Sequence, residues 1–325
     1  MRPSTKKLVT NLSPGTKIKG KWHQQTYQIV KLLGSGTIGS VYLALHNQSY
    51  VALKISDQPS AITTEVNVLK AFKKVQGSRL GPSLLDVDDW IITKDQSYSF
   101  YVMEYLRGYE LNTFIKRKGY EWLGILIVQL LSDLRELHDQ GWVFGDLKPE
   151  NVIVTDAPPR LRLIDVGGTT KQGRAVKEYT EFYDRGYWGL GTRKADPAYD
   201  LFAVAMVMIQ VFYPNRFDKG PNPYRTLTYK IKQSPILRRY AGCLEKALLG
   251  KYTSSSEMSQ DLSKIILKRQ QSSSQNTKTR SQPRRNNSTV KRQQRKQKHY
   301  QWEESLGIAM VTALFTIFYF VIHML

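Results

Sequence analysis

Two stretches decide how this chain reads: WVFGDLKPENVIV at residues 142–154 and LRLIDVGG at residues 161–168. Each holds a short β-rich run, bounded by glycine, proline or charged residues, of the length and composition that forms a buried strand. Asp146, Lys148, Asn151 and Asp165 stand at the edges of those runs. The two runs therefore deliver two carboxylates, one amide and one ammonium into one neighbourhood.

Upstream, residues 27–56 read YQIVKLLGSGTIGSVYLALHNQSYVALKIS. Apolar and polar residues alternate on both sides of Gly34, Gly36 and Gly39, which predicts a strand, a glycine loop, a second strand, a turn and a third strand ending near Lys54. Glycines let a backbone approach phosphate oxygens closely, and a lysine on a neighbouring strand supplies a compensating point charge. Glu65 opens EVNVLKAF, where Val66, Val68, Leu69 and Phe72 recur at mostly helical spacing, so this carboxylate is expected to project from a helix toward Lys54. FYVMEYLRGYEL at residues 100–111 then reads as a buried strand leading into a glycine turn, followed by a helical region that ends at LHDQG, residues 137–141.

Taken in order, GSGTIGSV, VALK, DLKPEN and IDVGG resemble the signatures of the eukaryotic-like (Hanks-type) Ser/Thr protein kinases of bacteria, and the resemblance covers residues 27–268. It implies an α+β bilobal fold with a β-rich N-lobe and a helical C-lobe. It also implies ATP and Mg²⁺ as cofactors and protein hydroxyls as substrates. By this likeness Gly34, Ser35, Gly36, Gly39 and Val41 cover the nucleotide, and Lys54 contacts its α and β phosphates while pairing with Glu65. Met103 falls at the gatekeeper position, Glu104 to Leu106 at the adenine-binding hinge, and Glu110 near the ribose. Asp146 orients the substrate hydroxyl and accepts its proton, Lys148 steadies the transferring group, and Asn151 and Asp165 hold magnesium. The chemistry is consistent with that likeness: phosphoryl transfer asks for positioned cations and an oriented hydroxyl, and two oxygen-donor side chains suit a hard octahedral ion.

The chain also departs from the pattern. Phe144-Gly145-Asp146 stands where His-Arg-Asp is usual, which removes the arginine that grips a phosphorylated activation loop. Aligning Thr180 and Tyr183 with the substrate-facing loop puts Tyr187 at the place of a structural glutamate and Lys251 at the place of its arginine partner, so both halves of that ion pair are absent together. Asp200 matches the aspartate that supports the catalytic loop. Glu65 follows Lys54 by only eleven residues, so the intervening helix is expected to be abbreviated. Two competing readings accompany the kinase reading: a kinase-like small-molecule phosphotransferase, suggested by FGDLKPEN, and a pseudokinase acting as a membrane adaptor.

Composition frames the rest. The 325 residues carry 48 Lys and Arg against 27 Asp and Glu, a formal charge of +21 that points to an anionic partner. A single cysteine, Cys243, excludes an internal disulfide or a cysteine zinc cluster and suits a reducing compartment. No acidic residue precedes Asp57, so residues 1–26 read as a basic arm. Another acid-free stretch spans residues 262–302, and residues 268–299 hold eleven Lys or Arg among Ser, Gln, Asn and Thr. Residues 269–304 are expected to form a linker without a core of its own. Arg284, Arg285, Lys291, Arg292, Arg295 and Lys296 are its candidate contacts with DNA, with a solvated spacer or anionic lipid as the other readings. Residues 305–325, SLGIAMVTALFTIFYFVIHML, match the length and apolarity of a bilayer span. Tyr300 and Trp302 fit an interfacial belt, and the preceding cations favour a cytoplasmic kinase domain tethered to the cell membrane. The chain as a whole resembles the tail-anchored, DNA-responsive kinases of spore-forming bacilli. On that reading DNA joins two linkers, and self-association permits phosphorylation in trans.

Overall fold

Residues 11–36, 38–76, 80–156 and 158–279 are described in the computed structural model. The chain divides into two compact units, residues 1–272 and 273–325, and only residues 273–279 of the second are described. The first unit begins with the strands that the alternating pattern predicts. Six antiparallel strands form one sheet in the order β1-β2-β3-β4-β6-β5: β1 (Lys17–Lys19), β2 (Thr26–Ser35), β3 (Ser40–His46), β4 (Ser49–Ser56), β5 (Leu84–Thr93) and β6 (Gln96–Glu104). One face buries Ile18, Ile29, Tyr42, Leu53 and Phe100 in a small core of its own. Strand β1 lies within the stretch assigned above to a basic arm, and that boundary is corrected. Ile18 is fully buried between the exposed Lys17 and Lys19, a period-two pattern too short to stand out in sequence.

The turn after β1 clasps the far edge of the sheet. The Lys21 amide donates to the Asp89 carbonyl at 2.8 Å, and the Trp22 and His23 amides donate to the Asp88 carboxylate at 2.9 and 2.8 Å. A β-carbon on Gly20 would sit 2.2 Å from Asp88 Oδ2, so only glycine admits this approach. His23 Nδ1 lies 2.6 Å from Asp86 Oδ1, and the bond and charge of Asp86 hold the imidazole above its ordinary pKa.

Helix α1 (Pro59–Gln76) packs Ile62, Val66, Leu69 and Phe72 against the sheet and the helical half. Helix α1 runs 18 residues, and no separate helix stands between β4 and α1, in keeping with the expected abbreviation of the intervening segment. What is short is the connector, Asp57 and Gln58, closed by Ser56, whose hydroxyl accepts from the Gln58 amide at 3.0 Å and donates to the Ile38 carbonyl.

The helical half comprises α2 (Leu111–Lys118), α3 (Glu121–Asp139), α4 (Pro197–Phe212), α5 (Pro223–Gln233), α6 (Ala241–Leu248) and α7 (Ser255–Thr279). Helix α4 is buried on every face from Tyr199 to Val211, and it starts where Asp196 caps the Tyr199 amide ahead of Pro197. Two short ladders lie on this half: β7 (Trp142–Val143) with β10 (Thr170–Lys171), and β8 (Val152–Asp156) with β9 (Pro159–Leu163). Helix α7 carries regular structure past Lys268, so the expected linker begins as helix as far as Thr279. Among the described residues no helix is long and apolar enough to cross a membrane, and residues 305–325 lie outside them.

Replacing Asp88 with Ala strips acceptors from two amides of the clasp and is expected to cost about 1–2 kcal/mol in chemical denaturation. The His23–Asp86 pair has a definite pH signature. Because the folded imidazole pKa is raised, the pair's stabilisation is fully present below the unfolded histidine value and fades as pH rises through the folded one. The melting difference between wild type and His23→Gln should therefore be larger at pH 5.5 than at pH 9.

Candidate active site

The β7–β10 and β8–β9 ladders hold the chain between them in an open loop, and Pro149–Asn151 closes that loop with one 3-10 turn. Asp146 is its hub. Asn151 Nδ2 donates to the Asp146 carbonyl and to its Oδ2, both at 2.9 Å, and Lys148 Nζ donates to Oδ2 at 2.6 Å. The Thr180 hydroxyl donates to Asp146 Oδ1 at 3.3 Å and accepts from Lys148 Nζ at 3.1 Å. With both amide hydrogens of Asn151 directed at Asp146, its Oδ1 is left as the donor for a cation.

Beyond β9, Asp165 Oδ1 accepts the Gly167 amide at 3.0 Å and lies 3.8 Å from Lys54 Nζ. Lys54, on β4 opposite Val41, is 7% exposed, and its Nζ reaches the two Glu65 oxygens at 2.8 and 2.7 Å. Tyr101 on β6 donates its hydroxyl to Glu65 Oε2 at 2.8 Å, which fixes the carboxylate from the sheet side. Burial, followed by the Glu65 charge, pushes the Tyr101 phenol well above its usual range, so it stays a donor.

The glycines divide by physical role. A β-carbon on Gly34 or Gly36 would meet nothing within 4 Å, so the protein interior does not demand glycine there, and the open face is available to phosphates. A β-carbon on Gly39 would lie 2.4 Å from the Ile55 carbonyl, so close strand packing excludes any other residue. Ser35 and Ser40 hydroxyls lie 3.1 Å apart across the base of the loop, and the Gly36 amide donates to the Gly39 carbonyl at 2.9 Å.

Two adjoining cavities form the cleft. One, of about 540 Å³, has Val41, Ala52, Met103, Leu106, Ile153 and Ile164 among its walls and reaches Glu104 and Glu110. Its neighbour, of about 380 Å³, is lined by Gly34, Gly36, Lys54, Asn151, Asp165 and Glu178. An apolar slot beside a polar, glycine-roofed one fits a purine attached to a phosphate chain, and Asn151 with Asp165 fits a divalent cation. The side chain of Glu104 is turned to Arg162, with contacts of 2.8 and 3.0 Å, and to Ser83. Burial raises its pKa, but the bonds from Arg162 and Ser83 outweigh that and hold it below the usual carboxylate value. Glu104 therefore offers the adenine slot its main chain.

Sequence reasoning missed three features. Glu178 stands in the phosphate cavity with no ion-pair partner within 4 Å among the described residues, and burial, then Asp165 and Asp146, raise its pKa. Asp200, fully buried, accepts the Phe144 amide at 2.8 Å and the Gly145 amide at 2.9 Å, as its match to a supporting aspartate implies. The addition is His138, whose Nε2 donates to Asp200 at 2.8 Å while Ser255 Oγ lies 2.9 Å from its Nδ1. Third, the ion pair absent at Tyr187 and Lys251 is replaced nearby. Buried Asp184 binds Arg193 at 2.7 Å and Tyr199 at 3.1 Å, and Arg185 binds Asp196 at 2.8 Å. Gly145 has φ of +84°, and its β-carbon would stand 2.8 Å from the Gly168 carbonyl, so the missing arginine is excluded by backbone geometry. Arg284, Arg285, Lys291, Arg292, Arg295 and Lys296 lie outside the described residues.

The sequence matches the protein kinase domain family over residues 27–282. It is 53% identical over 263 residues to the serine/threonine-protein kinase YabT of Bacillus subtilis (strain 168), covering 81% of this chain and 78% of that one. The chain belongs to the Ser/Thr protein kinases. Its fold is shared with the structure of vaccinia related kinase 3, at a TM-score of 0.59 and 15% identity over 82% of this chain and 94% of that one. The Mycobacterium tuberculosis PknI kinase domain matches at 0.54 and 18% identity over 78% of this chain and all of that one. Membership implies ATP, a divalent metal and protein substrates.

Glu178 brings a carboxylate to a cavity that receives phosphates. Glu178→Gln is expected to tighten ATP binding about three- to tenfold when measured by calorimetry in EDTA, since one nearby like charge is removed.

Proposed function

We propose that this kinase transfers the ATP γ-phosphoryl group to Ser and Thr hydroxyls of proteins at the loop centred on Asp146, with Mg²⁺ as its metal. The observation that carries the reading is the convergence of Lys54, Asn151 and Asp165 on one glycine-roofed cavity, with Asp146 bonded to Asn151 at its edge and with Lys148 and the Thr180 hydroxyl already bonded to Asp146. Lys54 presents an ammonium, positioned by Glu65, to the phosphate chain. The Asp146 carboxylate orients the incoming hydroxyl and takes its proton, and Lys148 supplies positive charge beside the acceptor oxygen. Asn151 Oδ1 and the Asp165 carboxylate would hold magnesium, which when bound neutralises charge on the phosphate oxygens. Asp200 keeps the preceding amides fixed, so Asp146 needs little reorganisation.

The segments flanking this domain complete the proposal. Residues 305–325 span the bacterial cell membrane once and leave the kinase domain in the cytoplasm, supported by the 21-residue uncharged stretch and the cations before it. Residues 269–304 form the basic linker, whose DNA-binding cations are Arg284, Arg285, Lys291, Arg292, Arg295 and Lys296. DNA bridging two linkers raises the rate by bringing kinase domains together, a switch suited to a chain without the activation-loop arginine.

With labelled ATP and a generic protein acceptor, the wild type is expected to transfer phosphate, and Asp146→Asn to lower the rate about 10²- to 10⁴-fold without loss of thermal stability. An undiminished Asp146→Asn rate overturns the assignment. Duplex DNA at low salt should stimulate autophosphorylation. Replacing the six linker cations with Gln should abolish that stimulation while leaving basal turnover in place.

A further inference from the structure

Between Asn222 and Tyr240 the chain has five cations, Arg225, Lys230, Lys232, Arg238 and Arg239, and no acidic residue. They lie on helix α5 and on the 3-10 turn Leu237–Tyr240 packed against it. Helix α5 is strongly two-sided. Leu227 and Ile231 are fully buried, while Arg225, Tyr229 and Lys232, spaced four and three apart, form a stripe on the opposite side. Arg225, Lys232, Arg238 and Arg239 are exposed, and none has an ion-pair partner among the described residues. Tyr229, 60% exposed, stands between two of them. Gathering like charges around an open aromatic ring gains nothing for folding; it is the composition of an interface core that receives carboxylates.

The surface continues to the acceptor site. Lys230 Nζ lies 4.9 Å from the Tyr213 ring centre and 5.0 Å from that of Phe217. Phe217 packs on Phe182, beside Tyr183, and Arg216 reaches both the Tyr183 ring and Glu150 Oε1, the latter at 3.3 Å. Glu150 adjoins Asn151 in the catalytic loop. The cations nearest the acceptor are thus engaged by rings or by Glu150, and the unpaired ones lie on the outer face of α5 and the following turn.

We propose that this outer face of α5 and the 238–239 turn is a docking surface for an acidic segment of the protein substrate, at a distance in sequence from the phosphorylated hydroxyl. The proposal rests on the protein kinase activity argued above and adds a substrate class to it. Arg225, Lys232, Arg238 and Arg239 pair with Asp or Glu side chains, and Tyr229 packs on the apolar parts of the segment. Continuity with the catalytic loop decides between partners. An acidic tract held here raises the local concentration of a hydroxyl on the same chain at Asp146. A nucleic acid bound here would cover the approach to the acceptor site and deliver none.

The test uses the full chain in detergent and one acceptor peptide in three forms: alone, followed directly by a Glu tract, or followed by that tract through a flexible spacer. At low salt the spaced acidic peptide should show a KM about tenfold below the plain peptide, with kcat unchanged, and the advantage should collapse at high salt. The unspaced tract should give little benefit. A variant combining Arg225→Glu, Lys232→Glu, Arg238→Glu and Arg239→Glu should keep the plain-peptide kcat and lose the acidic advantage. That variant should instead favour a spaced Lys tract, a reversal that misfolding cannot produce. Fluorescence anisotropy of the labelled spaced peptide reports docking independently of turnover, so a chain that binds it through these four residues and fails to phosphorylate any peptide contradicts the kinase assignment alone. The docking proposal is overturned by equal binding of acidic and neutral tracts. It is also overturned by an advantage that survives charge reversal, or by loss of duplex DNA binding in the variant with no acidic preference in the wild type.

Discussion

A lysine ammonium taken almost wholly out of water needs an anion within reach, and Lys54 has two. Glu65 contacts it at 2.7 Å and Asp165 lies at 3.8 Å. The desolvation of such a group is tolerable only when its close partner is held in place, and removing Glu65, the nearer and buried one, leaves a buried charge exposed to that penalty, whereas Asp165 is half exposed and more distant. That constraint reaches through the fold. Glu65 is carried by α1, whose apolar side must dock on the sheet for the pair to form, and Tyr101 fixes the carboxylate from β6. Asp165 follows the strand pair β8–β9, and Asn151 immediately precedes it. One electrostatic requirement thus ties sheet, helix and catalytic loop together around the space where a phosphate chain supplies the remaining negative charge.

Much of this was legible in sequence because the motif spacing encodes local geometry. DLKPEN becomes a loop closed by one 3-10 turn, GSGTIG runs from the end of β2 to the start of β3, VALK lies within β4, and IDVGG follows β9. Glu65 faces Lys54 as its helical spacing implies, and the segment between them is short, as the eleven-residue gap implies. The gap holds the end of β4, a two-residue connector and the first turns of α1, and Ser56 stitches that connector locally in a way no periodicity announces. Strand β1 escaped notice because three residues give a single alternation, and its identity comes from Ile18 meeting a core built by strands further along the chain.

The remaining misses share a cause. The Gly20 approach to Asp88 joins groups 68 residues apart, His138 meets Asp200 across 62 residues and Ser255 across 117. Such contacts follow from the finished packing and have no local signature. Glu178 is similar: nothing in KEYT marks the glutamate as a cavity wall until the activation segment is folded back against Asp165. The departures from the family pattern are nonetheless physically coherent. A glycine with φ of +84° replaces the usual arginine because the backbone passes within contact of Gly168, and Asp184–Arg193 with Arg185–Asp196 supplies the local charge pairing that Tyr187 and Lys251 cannot.

Single-turnover transfer from labelled ATP with Mg²⁺ to a saturating acceptor, compared between wild type and Asp165→Asn, tests the convergence most directly. The account predicts that the transfer step slows by at least about a hundredfold in the variant while its melting temperature changes little. Transfer at the wild-type rate without the Asp165 carboxylate would contradict it.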